Sequence, residues 1–312
     1  MRTRIAVAAL FVVPAWLFPI PPPAAPPAAD ALKDPTPLHV PGSAAGYTLA
    51  QTRDLFAVPD WFPADHAPMP AAVEFGRAPD AYACGFCHLP DGRGRPENAT
   101  VAGLPAEYIV QQVRDFASHA RGTAWTGTPY RPTVLMQQLS AAVTDADLAA
   151  AAAYFAAQPL RARRAEVIEA ETIPRMRNVA WLHVADADGG QEPLGARIIE
   201  TPRDFERHEL RDPNTPYVAY VPVGSLQRGR SVATTAHGDV PACVGCHGAD
   251  LRGIALVPPL AGRSPTYLLR QLVAFRTGAR ASSAAAPMQP VVEALELDDM
   301  IAVAAYAGSL PP

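Results

Sequence analysis

Pro241-Ala242-Cys243-Val244-Gly245-Cys246-His247-Gly248 is the stretch on which the reading of this chain turns, and Ala83-Cys84-Gly85-Phe86-Cys87-His88 is its echo. Cysteines at i and i+3 lie on one side of a helical turn, and the next residue points its ring across whatever they hold. Two thiols so spaced, followed at once by histidine, form the attachment signature of a c-type haem, with both sulfurs bonded to the porphyrin and the imidazole on the iron. The sequence thus implies two covalently bound haem c groups. One is expected on Cys84, Cys87 and His88, the other on Cys243, Cys246 and His247.

Four cysteines also suit two disulfides, a zinc site or redox dithiols. Zinc needs four ligands closing one tetrahedron, and a histidine directly beside the second cysteine chelates poorly. A redox dithiol has no use for the histidine, least of all twice. Both motifs together consume all four cysteines, leaving none for a structural bridge.

The 312 residues suffice for two ordinary domains. With 35 prolines against 21 glycines, extended connections and short helices are expected. A formal charge of −4 points neither to nucleic acid nor to a polybasic membrane patch. Met1-Arg2-Thr3-Arg4, an apolar run from Ile5 to Ile20 and a Pro/Ala stretch ending at Ala29 have the tripartite form of a secretory signal peptide over residues 1–29. An uncleaved anchor is the rival reading. The run is shorter than a membrane span and is interrupted by Pro14 and Pro19, which favours cleavage between Ala24 and Ala29 and no integral span in the mature chain.

Residues 30–73 read as an extended Pro-rich arm whose aromatics, among them Tyr47, Phe56, Trp61 and Phe62, argue for packing on the first domain. His39 and His66 lie in it, more in keeping with hydrogen-bonded than with ligating histidines. A repeat then emerges. At an offset of 159, Cys84, Cys87, His88, Gly103, Tyr108, Gln112, Phe116 and Arg121 match Cys243, Cys246, His247, Gly262, Tyr267, Gln271, Phe275 and Arg280 without a gap. Beyond Arg121 the offset falls to 152, where Met136, Asp147 and Tyr154 match Met288, Asp299 and Tyr306; the first copy carries a seven-residue insertion around Thr123–Arg131.

Ser264-Pro265 is an N-cap followed by proline at the first helical position, and Leu268, Leu272 and Phe275 repeat on one face; Leu104-Pro105 opens the counterpart, with Ile109, Val113 and Phe116. Final helices are expected over Asp145–Ala157, capped by Thr144, and over Leu297–Ser309. Residues 160–224 are too long for a linker. Strand-like runs at Val179–Ala185, Ala196–Glu200 and Tyr217–Val221 predict a small irregular layer, and Arg161, Arg163, Arg164, Arg175 and Arg177 form a basic cluster read as a solvated face.

The haem motifs, Pro259-Leu260-Ala261-Gly262, Tyr267, the run from Gln271 through Phe275-Arg276 to Gly278 and Arg280, the single Met288 and an Ala-rich helix holding Tyr306 resemble the class I c-type cytochromes. The tandem arrangement resembles their dihaem members. The resemblance implies a mainly α fold with two cytochrome c-like helical domains at residues 74–159 and 225–312, separated by the irregular, short-stranded segment 160–224. It implies a methionine as sixth iron ligand, Met136 in the first unit and Met288 in the second. It also implies that the ligating imidazole donates to the carbonyl of a proline before Leu-Ala-Gly, here Pro259, with Thr100 its counterpart.

Ligation by His and Met saturates the iron, so the expected function is single-electron transport between redox partner proteins in the periplasm, such as a dehydrogenase and a membrane oxidase or reductase. The alternative is a haem enzyme, such as a dihaem peroxidase or the cytochrome subunit of a periplasmic dehydrogenase, with an open iron and His119 nearby. No Ser/His/Asp arrangement, phosphate loop or dinucleotide fingerprint is visible, so no catalytic residue is assigned.

Overall fold

The computed structural model describes residues 11–23, 30–162, 164–236 and 240–312. Arg163 and the expected cleavage stretch from Ala24 to Ala29 lie outside the described residues. The chain is mainly α. In order it forms α1 (Leu49–Thr52), α2 (Ala71–Glu74), α3 (Cys84–His88), α4 (Ala106–Ala117), α5 (Arg131–Ala142), α6 (Asp145–Ala157), α7 (Phe205–Glu209), α8 (Ser225–Thr234), α9 (Cys243–His247), α10 (Pro265–Arg276), α11 (Gln289–Glu293) and α12 (Leu297–Ser309).

Local chemistry accounts for the helix starts. Thr144 accepts from the Asp147 N–H at the head of α6, and Ser264 from the Tyr267 N–H at the head of α10. Around α3, helices α4 and α6 enclose a core of Val73, Ile109, Ala152 and Phe155. Around α9, α10 and α12 enclose a larger one with Leu269, Val273, Met300 and Ile301 fully or nearly fully buried.

Helix α8 was not expected from the sequence, and it packs along α12. The crossing is close because Gly229 has no side chain: a Cβ there would lie 2.0 Å from the Ala302 carbonyl oxygen. In the first repeat the comparable lead-in is only the four residues of α2, which touch α3 and α6.

The segment between the repeats holds three small sheets. β1 (Glu166–Glu169) runs parallel to β7 (Tyr217–Val221), and β6 (Ile199–Pro202) pairs antiparallel with the other edge of β7. β2 (Thr172–Pro174) pairs with β5 (Gln191–Pro193), and β3 (Met176–Val179) with β4 (Leu182–Ala185). The run expected as one strand over Val179–Ala185 is thus a hairpin. Ala180 and Trp181 turn it with φ of 48° and 68°, a conformation their side chains do not advertise.

The arm is more regular than its prolines suggest. Thr48 and Gln51 form a reciprocal capping box on α1, and Trp61 is buried with its indole N–H on the Leu210 carbonyl at 2.7 Å. Of the apolar run expected as a leader, Leu17 and Phe18 sit in the larger core, and the Leu17 carbonyl accepts from Arg270 Nε at 2.8 Å.

Candidate functional site

Each Cys-X-X-Cys-His sequence forms a single helical turn, α3 and α9, stopped by a residue at positive φ. Gly248 (φ 88°, ψ 153°) does this freely. Leu89 (φ 65°, ψ 157°), completely buried, holds the same glycine-type conformation at a strain of roughly 1–3 kcal/mol. The turns then close identically: the Gly94 N–H donates to the His88 carbonyl at 2.8 Å, and the Gly253 N–H to the His247 carbonyl at 2.7 Å.

His88 Nδ1 lies 2.8 Å from the Ala99 carbonyl oxygen, and His247 Nδ1 2.8 Å from that of Pro258. A carbonyl only accepts, so Nδ1 carries the proton in both rings and Nε2 keeps its lone pair. The acceptor is therefore one residue earlier than the expected Pro259 and Thr100; Arg263 Nε takes the Pro259 carbonyl at 2.7 Å. Burial is the main force holding both imidazoles below their ordinary pKa.

All four thiols are free, and Cys84 is pushed up to about 12 by burial, with Cys87 and Cys243 also raised. These three thiols are poor thiolates. Among the described residues, no group of three or more His, Cys, Asp or Glu side chains gathers as if around a metal ion.

Both turns open on one largely apolar cavity of about 1070 Å³. Cys84, Cys87, His88, Cys243, Cys246 and His247 border it, and so do Met136 and Met288. This donor set, with free paired thiols, an imidazole Nε2 and a thioether along an apolar wall, fits covalent haem at each turn. Met288 closes a short 3-10 helix before α11 and α12, whereas Met136 sits in the middle of α5.

The other histidines are engaged elsewhere. His119 is exposed and pairs through Nδ1 with Gln137 Nε2 at 3.1 Å, without bordering the cavity. His66 contacts Asp60, Ala67 and Tyr154, and His39 contacts Ala45. The Tyr154 hydroxyl donates to the Pro90 carbonyl, just past the first turn, at 2.7 Å.

The repeats also bind each other through their matched residues. Arg121 donates to Tyr267 Oη at 2.7 Å and to Gln271 Oε1 at 2.8 Å; Arg280 donates to Tyr108 Oη and Gln112 Oε1, both at 2.7 Å. The backbone closes the same join through Gly122 N–H to the Ala279 carbonyl and Ala281 N–H to the Ala120 carbonyl. Sequence reasoning aligned these residues without seeing that they meet. The recurrence of tyrosine, glutamine and arginine at the same three positions of both copies was the available signal.

Comparison with known proteins adds the following. The family model for cytochrome c matches residues 226–311. Cytochrome c-554(548) of Halomonas halodenitrificans is 38% identical over 78 residues, which span 94% of that protein and 25% of this chain. The thiosulfate dehydrogenase electron acceptor of Stutzerimonas stutzeri is 29% identical over 234 residues, 74% of this chain and 80% of that protein. Among solved structures, the "as isolated" form of thiosulfate dehydrogenase (TsdBA) from Marichromatium purpuratum superposes with a TM-score of 0.50 at 28% identity over 77% of this chain; the chain spans 39% of that larger protein.

Proposed function

The chain belongs to the cytochrome c family, as a dihaem electron-transfer cytochrome with covalently bound haem c, and from that premise we propose that it accepts single electrons from a periplasmic dehydrogenase and passes them on through two haem domains, residues 74–159 and 225–312. Cys84 and Cys87 carry the first haem and Cys243 and Cys246 the second. His88 with Met136, and His247 with Met288, would hold the two irons. The observation that carries this reading is the duplicated turn, in which each histidine has Nδ1 tied to a carbonyl and Nε2 free while a methionine borders the same cavity.

When bound, haem supplies the one-electron iron couple. The chain's own part is to fix geometry. The Ala99 and Pro258 carbonyls set the tautomer and plane of each imidazole and make Nε2 a better donor. The Arg121 and Arg280 bonds hold the two units in one relative position, so that electron exchange between them needs no rearrangement. Nothing in this arrangement asks for substrate chemistry of its own.

The relative from Stutzerimonas stutzeri supports a thiosulfate-oxidising enzyme as the donor. Export to the periplasm is supported by the basic and apolar start of the sequence. Among the described residues no helix is long and apolar enough to cross a membrane. A haemochrome assay against protein mass should give two haems per chain, and a spectroelectrochemical titration two low-spin one-electron steps. A purified thiosulfate dehydrogenase with thiosulfate should then reduce both haems. One haem per chain, or rapid peroxide turnover by the isolated protein, would defeat the reading.

A further inference from the structure

The two haem turns lie in different electrical surroundings, and the difference comes from the segment between the repeats. The loop after each turn holds equivalent positions at the offset of 159: Arg95 and Glu97 in the first copy, Ile254 and Leu256 in the second. Ile254 and Leu256 are 54% and 57% exposed, and Cys246 of the second turn is exposed as well. Arg95 and Glu97 form an ion pair at 3.0 Å that is nearly closed to solvent.

What closes it is the stretch around α7. His208, with no exposed surface, approaches both Arg95 at 3.4 Å and Glu97 at 3.7 Å, and its Nδ1 lies 2.7 Å from the Tyr217 hydroxyl. Arg211 follows with φ of 60° and lays its guanidinium 3.6 Å from the centre of the Phe86 ring, between the two cysteines of the first turn. Arg95 and Arg211 each keep a buried Nε without a hydrogen-bond partner, and both border the cavity.

The charges do not cancel. Arg95 and Arg211 face the carboxylates of Glu97 and, at the rim, Glu209, and with Arg53 the three cations outnumber the two anions, because burial and the surrounding arginines hold His208 well below its ordinary pKa and so neutral. Arg211 is itself drawn down to about 9 by burial, which leaves it cationic at neutral pH. Arg53 and Glu209 at the rim pair with each other at 3.7 Å. Arg95 and Arg211 border the cavity together with Cys87, and the Arg211 guanidinium covers the ring of Phe86, the residue before Cys87.

We infer that the segment between the repeats is an electrostatic cap on the first haem, in which Arg211 maintains a net positive charge beside Cys87 and raises the reduction potential of that haem while leaving the second untouched. A nearby cation favours the iron state of lower charge, which is ferrous, and it acts strongly where solvent is excluded. The inference rests on haem attachment at the first turn. Arg211 is a positioning residue here, since it acts through the field at the turn.

The test is a spectroelectrochemical titration of the haem-loaded protein at neutral pH. Arg211→Gln should lower one of two midpoint potentials, reducing the ferrous-to-ferric ratio of that haem at fixed potential by about threefold or more. Glu97→Gln should raise the same step, and Arg211→Lys should restore it. Ile254→Arg, which puts a cation at the twin position, should raise the other step and by less, because solvent screens it. A wild-type titration with a single step would defeat the two-haem reading instead. Two steps that ignore Arg211→Gln and Glu97→Gln, move together, or move in the same direction in both variants would overturn this inference alone.

Discussion

Arg121 and Arg280 lie side by side as an isolated antiparallel bridge, and each sends its guanidinium to the tyrosine of the opposite repeat at 2.7 Å. Gln112 and Gln271 each accept from both arginines. Each guanidinium also faces its own repeat's aromatic ring, Phe116 for Arg121 and Phe275 for Arg280. Six polar side chains, two arginines, two tyrosines and two glutamines, thus bind one another across the join.

Truncating either arginine to alanine should lower stability by about 2–4 kcal/mol, because a buried tyrosine hydroxyl and an amide oxygen lose charged donors. The double variant should cost less than the two single losses combined, since both arginines share the same glutamines. Denaturant titration of the haem-loaded proteins checks this. Strictly additive losses would show that the two sides of the join act independently.

Gly229→Ala should destabilise the second unit by about 3 kcal/mol or more, because the added methyl would meet the Ala302 carbonyl at 2.0 Å and the backbones must part. Thermal melts of wild type and variant measure it. A neutral outcome would mean that α8 does not cross α12 here.

Met288→Ala should open one iron to added imidazole or cyanide and remove the ferric sulfur charge-transfer band of that haem, leaving the other unchanged. Met136→Ala should do the same at the first haem. Spectra of both variants with and without ligand decide the sixth ligand, and an unchanged Met136→Ala spectrum would point to a different donor on the first iron.

His208 has a pH signature. Its folded pKa is depressed, so between that value and the unfolded value of about 6.5 the unfolded chain binds a proton that the folded chain refuses. Stability is therefore full above about pH 6.5 and falls as the pH drops, with a slope approaching ~1.4 kcal/mol per pH unit from this residue. Stability curves between pH 5 and 8 for wild type and His208→Gln test the sign, the variant being expected to lose part of the slope.

Much of this was legible in the residues. Strong local signals wrote themselves into the sequence: the cysteine spacing, the Thr144 and Ser264 caps, and the Ala-rich helices, which form over Asp145–Ala157 and Leu297–Ser309 as expected. What was hidden depended on neighbours. Helix α8 carries Gly229 at its centre, a residue that argues against a helix until α12 is laid against it. The Ala180-Trp181 turn has no glycine, asparagine or proline to mark it. Met136 aligned with its twin, yet α5 runs through it as one helix of 12 residues, where the second copy has Pro287 and Pro290 around Met288 in place of Leu135 and Gln138. The charges around Cys87 come from positions as far apart in sequence as Arg95 and Arg211, and no spacing rule joins them.

The join has a consequence for symmetry. When Tyr108, Gln112 and Arg121 grip Arg280, Gln271 and Tyr267, residue i of one copy meets residue j of the other, and j meets i in return. That reciprocity is the mark of an isologous, two-fold contact. The join is built like the interface of a two-fold dimer, with both faces carried on one chain. An excised second copy, with Tyr267, Gln271 and Arg280 laid bare, inherits that face and with it the tendency to pair with its own kind.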